Sequence, residues 1–282
     1  MRREKEMRKL RRTRKQRRMR MQRLAVFSVL AGLLLLTALF AEQLCPYDPY
    51  MQDYGSVLSA PSPAHPFGTD RFGRDMLSRV IAGARTSIFS TLVLVGIISV
   101  SGTAVGVLCA YFGKWTDAVV MRIADVCLAF PGLVFALAVS AVLGGGTGNA
   151  VIALAAVSWP KYARLARSRT LEIMSSDYLA AARLAGDTSG QMIVRHILPN
   201  IAGQILVTAV LDIGTMMMEL SALSFLGLGA RIPTAEWGSM MSGGRSMLQT
   251  YPWVVLAPGS AIFVTVAVFN LFGDALRDCL EP

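Results

Sequence analysis

Six apolar stretches, at about 24–42, 88–112, 118–143, 148–167, 202–228 and 254–275, are each long enough to cross a bilayer as a helix. This restricts the fold more than any single motif does. Within hydrocarbon, each backbone N–H and C=O must be satisfied inside the protein, which leaves helices or closed barrels. The expected class is therefore an all-α membrane protein with six transmembrane helices. Pro131 and Pro160 interrupt the third and fourth stretches, which membrane helices tolerate when neighbouring groups satisfy the freed carbonyls.

The chain carries a net charge of +10, but its distribution is lopsided. Residues 1–23 hold 13 Lys and Arg against Glu4 and Glu6, a balance of +11, so the other 259 residues total −1. No aromatic or Gly-rich pattern accompanies this basic tail, so no nucleic-acid partner is expected. Placed directly before an apolar run, the tail reads as a topology determinant and a surface attracted to anionic lipid. Tail and run together also resemble a signal peptide. The run is longer than the usual h-region and no small-x-small cleavage site follows, so an uncleaved first span is expected.

With residues 1–23 inside, both termini are expected in the cytoplasm of a multi-pass cell-membrane protein. The division is a basic cytoplasmic tail (1–23), a first transmembrane helix (24–42), an extracytoplasmic segment (43–87) and a membrane domain (88–282). The stretch from Pro160 to Pro199 reads as a cytoplasmic loop whose Lys161, Arg164, Arg167, Arg169, Arg183 and Arg195 satisfy the positive-inside rule. In 43–87, Arg71, Arg74, Arg79 and Arg85 are offset by Asp48, Asp53, Asp70 and Asp75. The other long outer segment, 229–253, holds Trp237 and Trp253, which suit either a partner-binding loop or anchoring at the lipid surface. Cys45, Cys109, Cys127 and Cys279 show no pairing pattern, and His65 and His196 fall on opposite sides, so neither a disulfide nor a metal site is expected.

Between the fourth and fifth spans lies YLAAARLAGDTSGQMIVRHILPN, Tyr178 to Asn200. Ser176 or Asp177 can cap a first short helix there, and Gly186 can end it in a left-handed conformation. Thr188 and Gln191 have capping-box spacing for a second helix, expected to stop before Pro199. Ala180, Ala181 and Ala182 keep one surface small, so a partner's groove can approach the backbone.

Asp212 and Glu219 stand seven residues apart in the fifth span, on nearly one helical face. Ionisable groups at that depth usually face a bundle interior or a wet cavity, so these two, with Met216 between them, are candidates for a translocation pathway. Met216, Met217 and Met218 wrap around the helix and read mostly as packing. No P-loop is present, so the chain binds no ATP by that motif, and neither H-E-x-x-H nor G-x-S-x-G supplies hydrolytic chemistry.

Ala180-Ala181-Ala182, Gly186, His196 and Leu198-Pro199 resemble the EAA motif, EAA-x3-G-x9-I-x-LP, of importer permeases in the ATP-binding-cassette superfamily. HPFGTDRFGRDMLSRVIAGARTS, LSFLGLGARIPTAEWG and the terminal FNLFGDALRDCLEP are similar to the second permease subunit of the dipeptide, oligopeptide and nickel branch. The resemblance covers about residues 46–282. It implies a type I importer permease fold whose 176–200 loop is a cytoplasmic coupling helix. Implied partners are a second homologous permease, two cytoplasmic ATPases that bind the ATP and Mg, and an extracytoplasmic substrate-binding protein. This chain itself would be non-catalytic and hold no cofactor. It departs from the motif where Ala180 replaces Glu and His196 replaces Ile, so any salt bridge of that Glu does not carry over.

The competing reading is a self-sufficient channel or secondary transporter, which calls for more embedded ionisable groups or an inverted repeat. On substrate, LDIGTMMM and PTAEWG lean towards nickel-type members, while LSFLGLG and RHILPN are shared with peptide importers. Di- or oligopeptide ranks ahead of nickel or a nickel chelate.

Overall fold

The computed structural model describes residues 2–280, with side chains from Arg18 onward. Most side chains of the basic tail therefore lie outside the described residues. Eleven α-helical segments follow one another without a strand among the described residues: α1 (Arg2–Leu39), α2 (Ala41–Leu44), α3 (Met76–Phe112), α4 (Lys114–Ala129), α5 (Gly132–Val142), α6 (Thr147–Met174), α7 (Asp177–Leu184), α8 (Ser189–Gln191), α9 (Leu198–Phe225), α10 (Trp237–Gly244) and α11 (Trp253–Leu280).

Four helices among the described residues are long and apolar enough to span a membrane: 18–39 of α1, α3, the continuous helix from Ser189 to Phe225, and α11. The pair α4 and α5 passes the same test jointly but bends by 95° at Phe130–Pro131. The stretch expected as one span at 118–143 is thus a broken one, because proline disfavours helical geometry in the preceding residue. Phe130 accordingly adopts an extended conformation, φ −100° and ψ 149°. The 148–167 stretch is the core of α6, a 28-residue helix. Lys161, Arg164, Arg167 and Arg169 within it keep it out of the apolar class, so composition alone yields four or five spans rather than six.

Two boundaries differ from the sequence reading. Helix α3 starts at Met76, well inside the segment expected as an outer loop. Asp75 fixes that start, its side chain accepting from the Ser78 N–H at 2.7 Å. Helix α6 runs on to Met174, so Lys161 and its neighbours are helical rather than part of a loop.

Helices α3 and α6 form the closest seam of the bundle. A Cβ on Gly102 would lie 2.5 Å from the Trp159 carbonyl oxygen, and one on Gly106 would lie 2.2 Å from that of Ala163. This G-x-x-x-G spacing lets two backbones meet where lipid supplies no hydrophobic drive for association. Leu94, Ile98, Leu154, Val157, Ile213, Leu220 and Phe269 fill the core shared by α3, α6, α9 and α11.

At the end of the bundle remote from the 176–200 loop, Asp70 holds two buried guanidiniums, Arg74 at 2.7 Å and Arg79 at 3.6 Å. Arg85 pairs with Glu42. Buried Glu236 caps α10, accepting from the Gly238 and Ser239 N–H groups at 2.9 and 2.8 Å. Trp237 is only 2% exposed and donates its indole N–H to the Val80 carbonyl. Trp253 donates to the carbonyl of Thr69 at 3.2 Å. Both indoles thus tie the 229–253 segment to the rest of the bundle, Trp237 from a buried position and Trp253 from a partly exposed one.

Candidate functional site

The loop between α6 and α9 is built from local hydrogen-bond chemistry. Ser176 occupies the cap position of α7, yet its hydroxyl donates back to the Ile173 carbonyl and makes no cap bond. Asp177 sits in the first turn, where its charge complements the helix dipole. At the other end Gly186 has φ +93°, the left-handed region that glycine enters without a side-chain clash. The Gly186 N–H bonds to Arg183 O at 3.1 Å and the Asp187 N–H to Ala182 O at 3.3 Å, which together make a Schellman closure.

Thr188 and Gln191 form a capping box in which the Thr188 N–H donates to Gln191 Oε1 at 2.7 Å. The helix they start does not stop before Pro199. It passes through a π-helical segment, Met192–Ile197, straight into α9. Pro199 has no N–H and its ring crowds the carbonyl four residues back. The wider π turn, in which the Leu198 N–H reaches Ile193 O, absorbs both effects, and Pro199 falls in the first turn of α9.

His196 joins the two limbs of this loop. Its Nδ1 lies 2.5 Å from the Tyr178 hydroxyl at the start of α7, and its Nε2 lies 2.7 Å from Asp187 Oδ2 in the turn. Beneath them Leu179, Met192, Ile197 and Ile201 pack on Val107 and Ala166, which fixes the loop to α3 and α6. The opposite surface is open. Ala180, Ala181 and Gly186 are exposed, Ala182 and Leu198 are partly so, and Leu184 is 90% exposed. A helix closed at its C-terminal end thus presents small and apolar groups outward, as a docking surface does.

The second candidate region lies in α9. Asp212 is buried, accepts a hydrogen bond from the Tyr162 hydroxyl at 2.8 Å and forms an ion pair with Lys161. Met216 and Met217 are buried in the bundle, while Met218 is exposed on the far side. Glu219 is half-buried. The sequence assigns Lys161 to the cytoplasmic loop rather than to this region, because of the charges around it. The sequence reading omitted Gln204, Thr208 and Thr215, which share the Asp212–Glu219 face at spacings of four, four, three and four residues. That spacing was available in the sequence.

The binding-protein-dependent transport system inner membrane component family matches residues 102–282. The N-terminal transmembrane domain of oligopeptide transport permease C matches residues 14–61. The dipeptide transport system permease protein DppC of Alkalihalophilus pseudofirmus is 41% identical over 258 residues, covering 90% of this chain and 85% of that protein. The glutathione transport system permease protein GsiD of Escherichia coli is 43% identical over 251 residues, covering 89% of this chain and 83% of its own. GsiD of Pectobacterium atrosepticum is 42% identical over the same length. The family match alone spans more than half of the chain, and the relatives span nearly all of it. An all-helical membrane chain with this loop and these relatives belongs to the family of binding-protein-dependent inner membrane components, as a permease subunit of an ATP-binding-cassette importer.

Proposed function

We propose that this chain forms one half of a transmembrane pathway for short peptides, paired with a second homologous permease. The 176–200 loop is its coupling element, with Ala180, Ala181, Ala182 and Gly186 facing a groove on one of two cytoplasmic ATPases. His196, Leu198 and Pro199 hold that surface to α9. The observation that carries this reading is α7 itself, Schellman-closed at its C-terminal end and apolar on its outer face. ATP and Mg bind to the ATPases, and this chain supplies no catalytic group. Thirteen Lys and Arg in residues 1–23, with Arg183 and Arg195 in the loop, orient both termini and the loop towards the cytoplasm of an inner-membrane protein. An extracytoplasmic binding protein delivers substrate at the opposite end. Relatives named for dipeptide and glutathione transport support peptides ahead of nickel.

Gly186→Pro tests the coupling role. Proline requires φ near −65° where the chain has +93°, and it removes the N–H that bonds to Arg183 O. The expected result is an assembled complex that hydrolyses ATP without importing peptide. Coupled uptake at the wild-type rate would overturn the assignment.

A further inference from the structure

Lys161 stands fourteen residues from the start and thirteen from the end of the 28-residue α6. Asp212 has the same position in the 28-residue α9. Each is therefore about 20 Å from either end of that segment, and Asp212 lies inside the apolar 202–228 stretch. Their ion pair is one-sided: the Asp212 side chain is 4% exposed, while that of Lys161 is 54% exposed. The ammonium thus faces a surface that this chain leaves uncovered. Two turns further along α9, Glu219 is half-buried and has no hydrogen-bond or ion-pair partner among the described residues. It lies within electrostatic range of both Asp212 and Lys161. Gln204, Thr208 and Thr215 continue the same polar face.

A face of this kind is not stable against lipid tails, where a central Lys or Asp costs about 3 kcal/mol on insertion scales. It has to meet water, a ligand or polar groups of the paired permease, and a face shared by the two halves of a pathway is where a substrate passes. The charges are also arranged by sign. Asp212 is already paired with Lys161, whose ammonium stays exposed on its other side, so Glu219 is the one carboxylate of this set left to receive a cation.

We propose that Glu219, with Thr215 beside it, is a station of the pathway that receives the α-ammonium group of the peptide, and that Lys161 offers its remaining N–H donors to the peptide's carboxylate. This rests on the peptide-import reading above. The dimensions suit a short zwitterion. Asp212, which holds the Lys161 ammonium, is seven helix residues from Glu219, about 10 Å along the axis, and three extended residues span about 10 Å. Such a site favours charge at both ends of a short substrate.

The test uses the complete importer in proteoliposomes, with its second permease, ATPases and binding protein. Uptake of trialanine is compared with that of N-acetyl-trialanine in wild type, Glu219→Gln and Glu219→Asp. Each variant is scored as a ratio to wild type for each peptide, so the binding protein's own selectivity divides out. Glu219→Gln is expected to lower kcat/KM for free trialanine by at least about tenfold, the lower bound for one hydrogen bond to a charged group, and to leave the acetylated peptide unchanged. Glu219→Asp keeps the charge and is expected to retain part of the preference for the free amine. Equal changes for both peptides, or none, would overturn the site and leave the importer reading standing. Absence of ATP-driven uptake of either peptide by the wild-type importer would overturn the peptide-import reading, and the site with it.

Discussion

Gly106→Ala adds one methyl at the tightest point of the α3–α6 seam. Its carbon would stand 2.2 Å from the carbonyl oxygen of Ala163, 2.9 Å from the carbonyl carbon and 3.0 Å from Cα. All three are backbone atoms of a helix, so no rotamer change relieves the clash. The helices must part by about 1 Å, a gap that forfeits a quarter to a half of each dispersion contact across the seam. Overpacking of this kind costs about 2–3 kcal/mol, partly offset by the roughly 1 kcal/mol that alanine gains over glycine within a helix. The net loss of about 1–2 kcal/mol corresponds to a fall in Tm of about 2–3 °C for a chain of this size. Gly96→Ala is the control, since nothing lies within 4 Å of a Cβ there. It carries the helix gain alone and is expected to leave Tm unchanged or slightly raised. The assay is thermal unfolding of the detergent-solubilised protein, followed by loss of the monodisperse peak on size exclusion. If Gly106→Ala matched Gly96→Ala, the close approach of α3 to α6 would be wrong.

Asp212→Asn and Lys161→Met, made singly, each leave the partner without its counter-charge. Each is expected to destabilise, by up to about 3–5 kcal/mol for Lys161→Met, which strands buried Asp212, whereas the double variant approaches wild-type Tm. A double-mutant cycle with no coupling would refute the pair. Glu236→Ala removes the cap of α10 and leaves two N–H groups without their acceptor. A loss of about 2–3 kcal/mol is expected, read as faster limited proteolysis in the 229–253 segment. Burial pushes the Cys45 thiol above its usual pKa, and Sγ–H contacts the Ala41 and Ser78 carbonyls. At pH 9 an ordinary thiol is about half thiolate, so Cys45 should alkylate with iodoacetamide more slowly than a small-molecule thiol, the gap closing as pH rises. Equal rates at pH 9 would remove that burial.

Local chemistry was the most legible part of the sequence. Gly186 as a left-handed terminator and the Thr188–Gln191 box are set by residues within a few positions of each other, and the structure has both. Apolar runs located the helices, but charge content misplaced their ends. Arg79 and Arg85 made the start of α3 look like a loop, although Arg79 is buried beside Asp70 and Arg85 pairs with Glu42. Lys161 was hidden for the same reason: its partner, Asp212, lies 51 residues away in sequence and is adjacent only through packing. The reach of His196 to Tyr178 and Asp187 is likewise a product of the fold. Gly102 and Gly106 were different, because their spacing is visible without any structure.

The unbroken helix from Ser189 to Phe225 has 37 residues, so it measures about 55 Å. It begins beside the exposed α7 and ends beyond Glu219, which makes it a single stiff lever across the membrane. A tilt of about 5° around its midpoint moves each tip by roughly 2 Å, given that length. A small push at the loop would thus arrive at the far mouth as a displacement of the size of a van der Waals contact, reversed in direction. The joint in its hydrogen-bond pattern is the π segment at Met192–Ile197, and it lies at the handle rather than along the shaft. Stiffening that joint would sharpen transmission, and loosening it would let α7 move while the shaft stayed still.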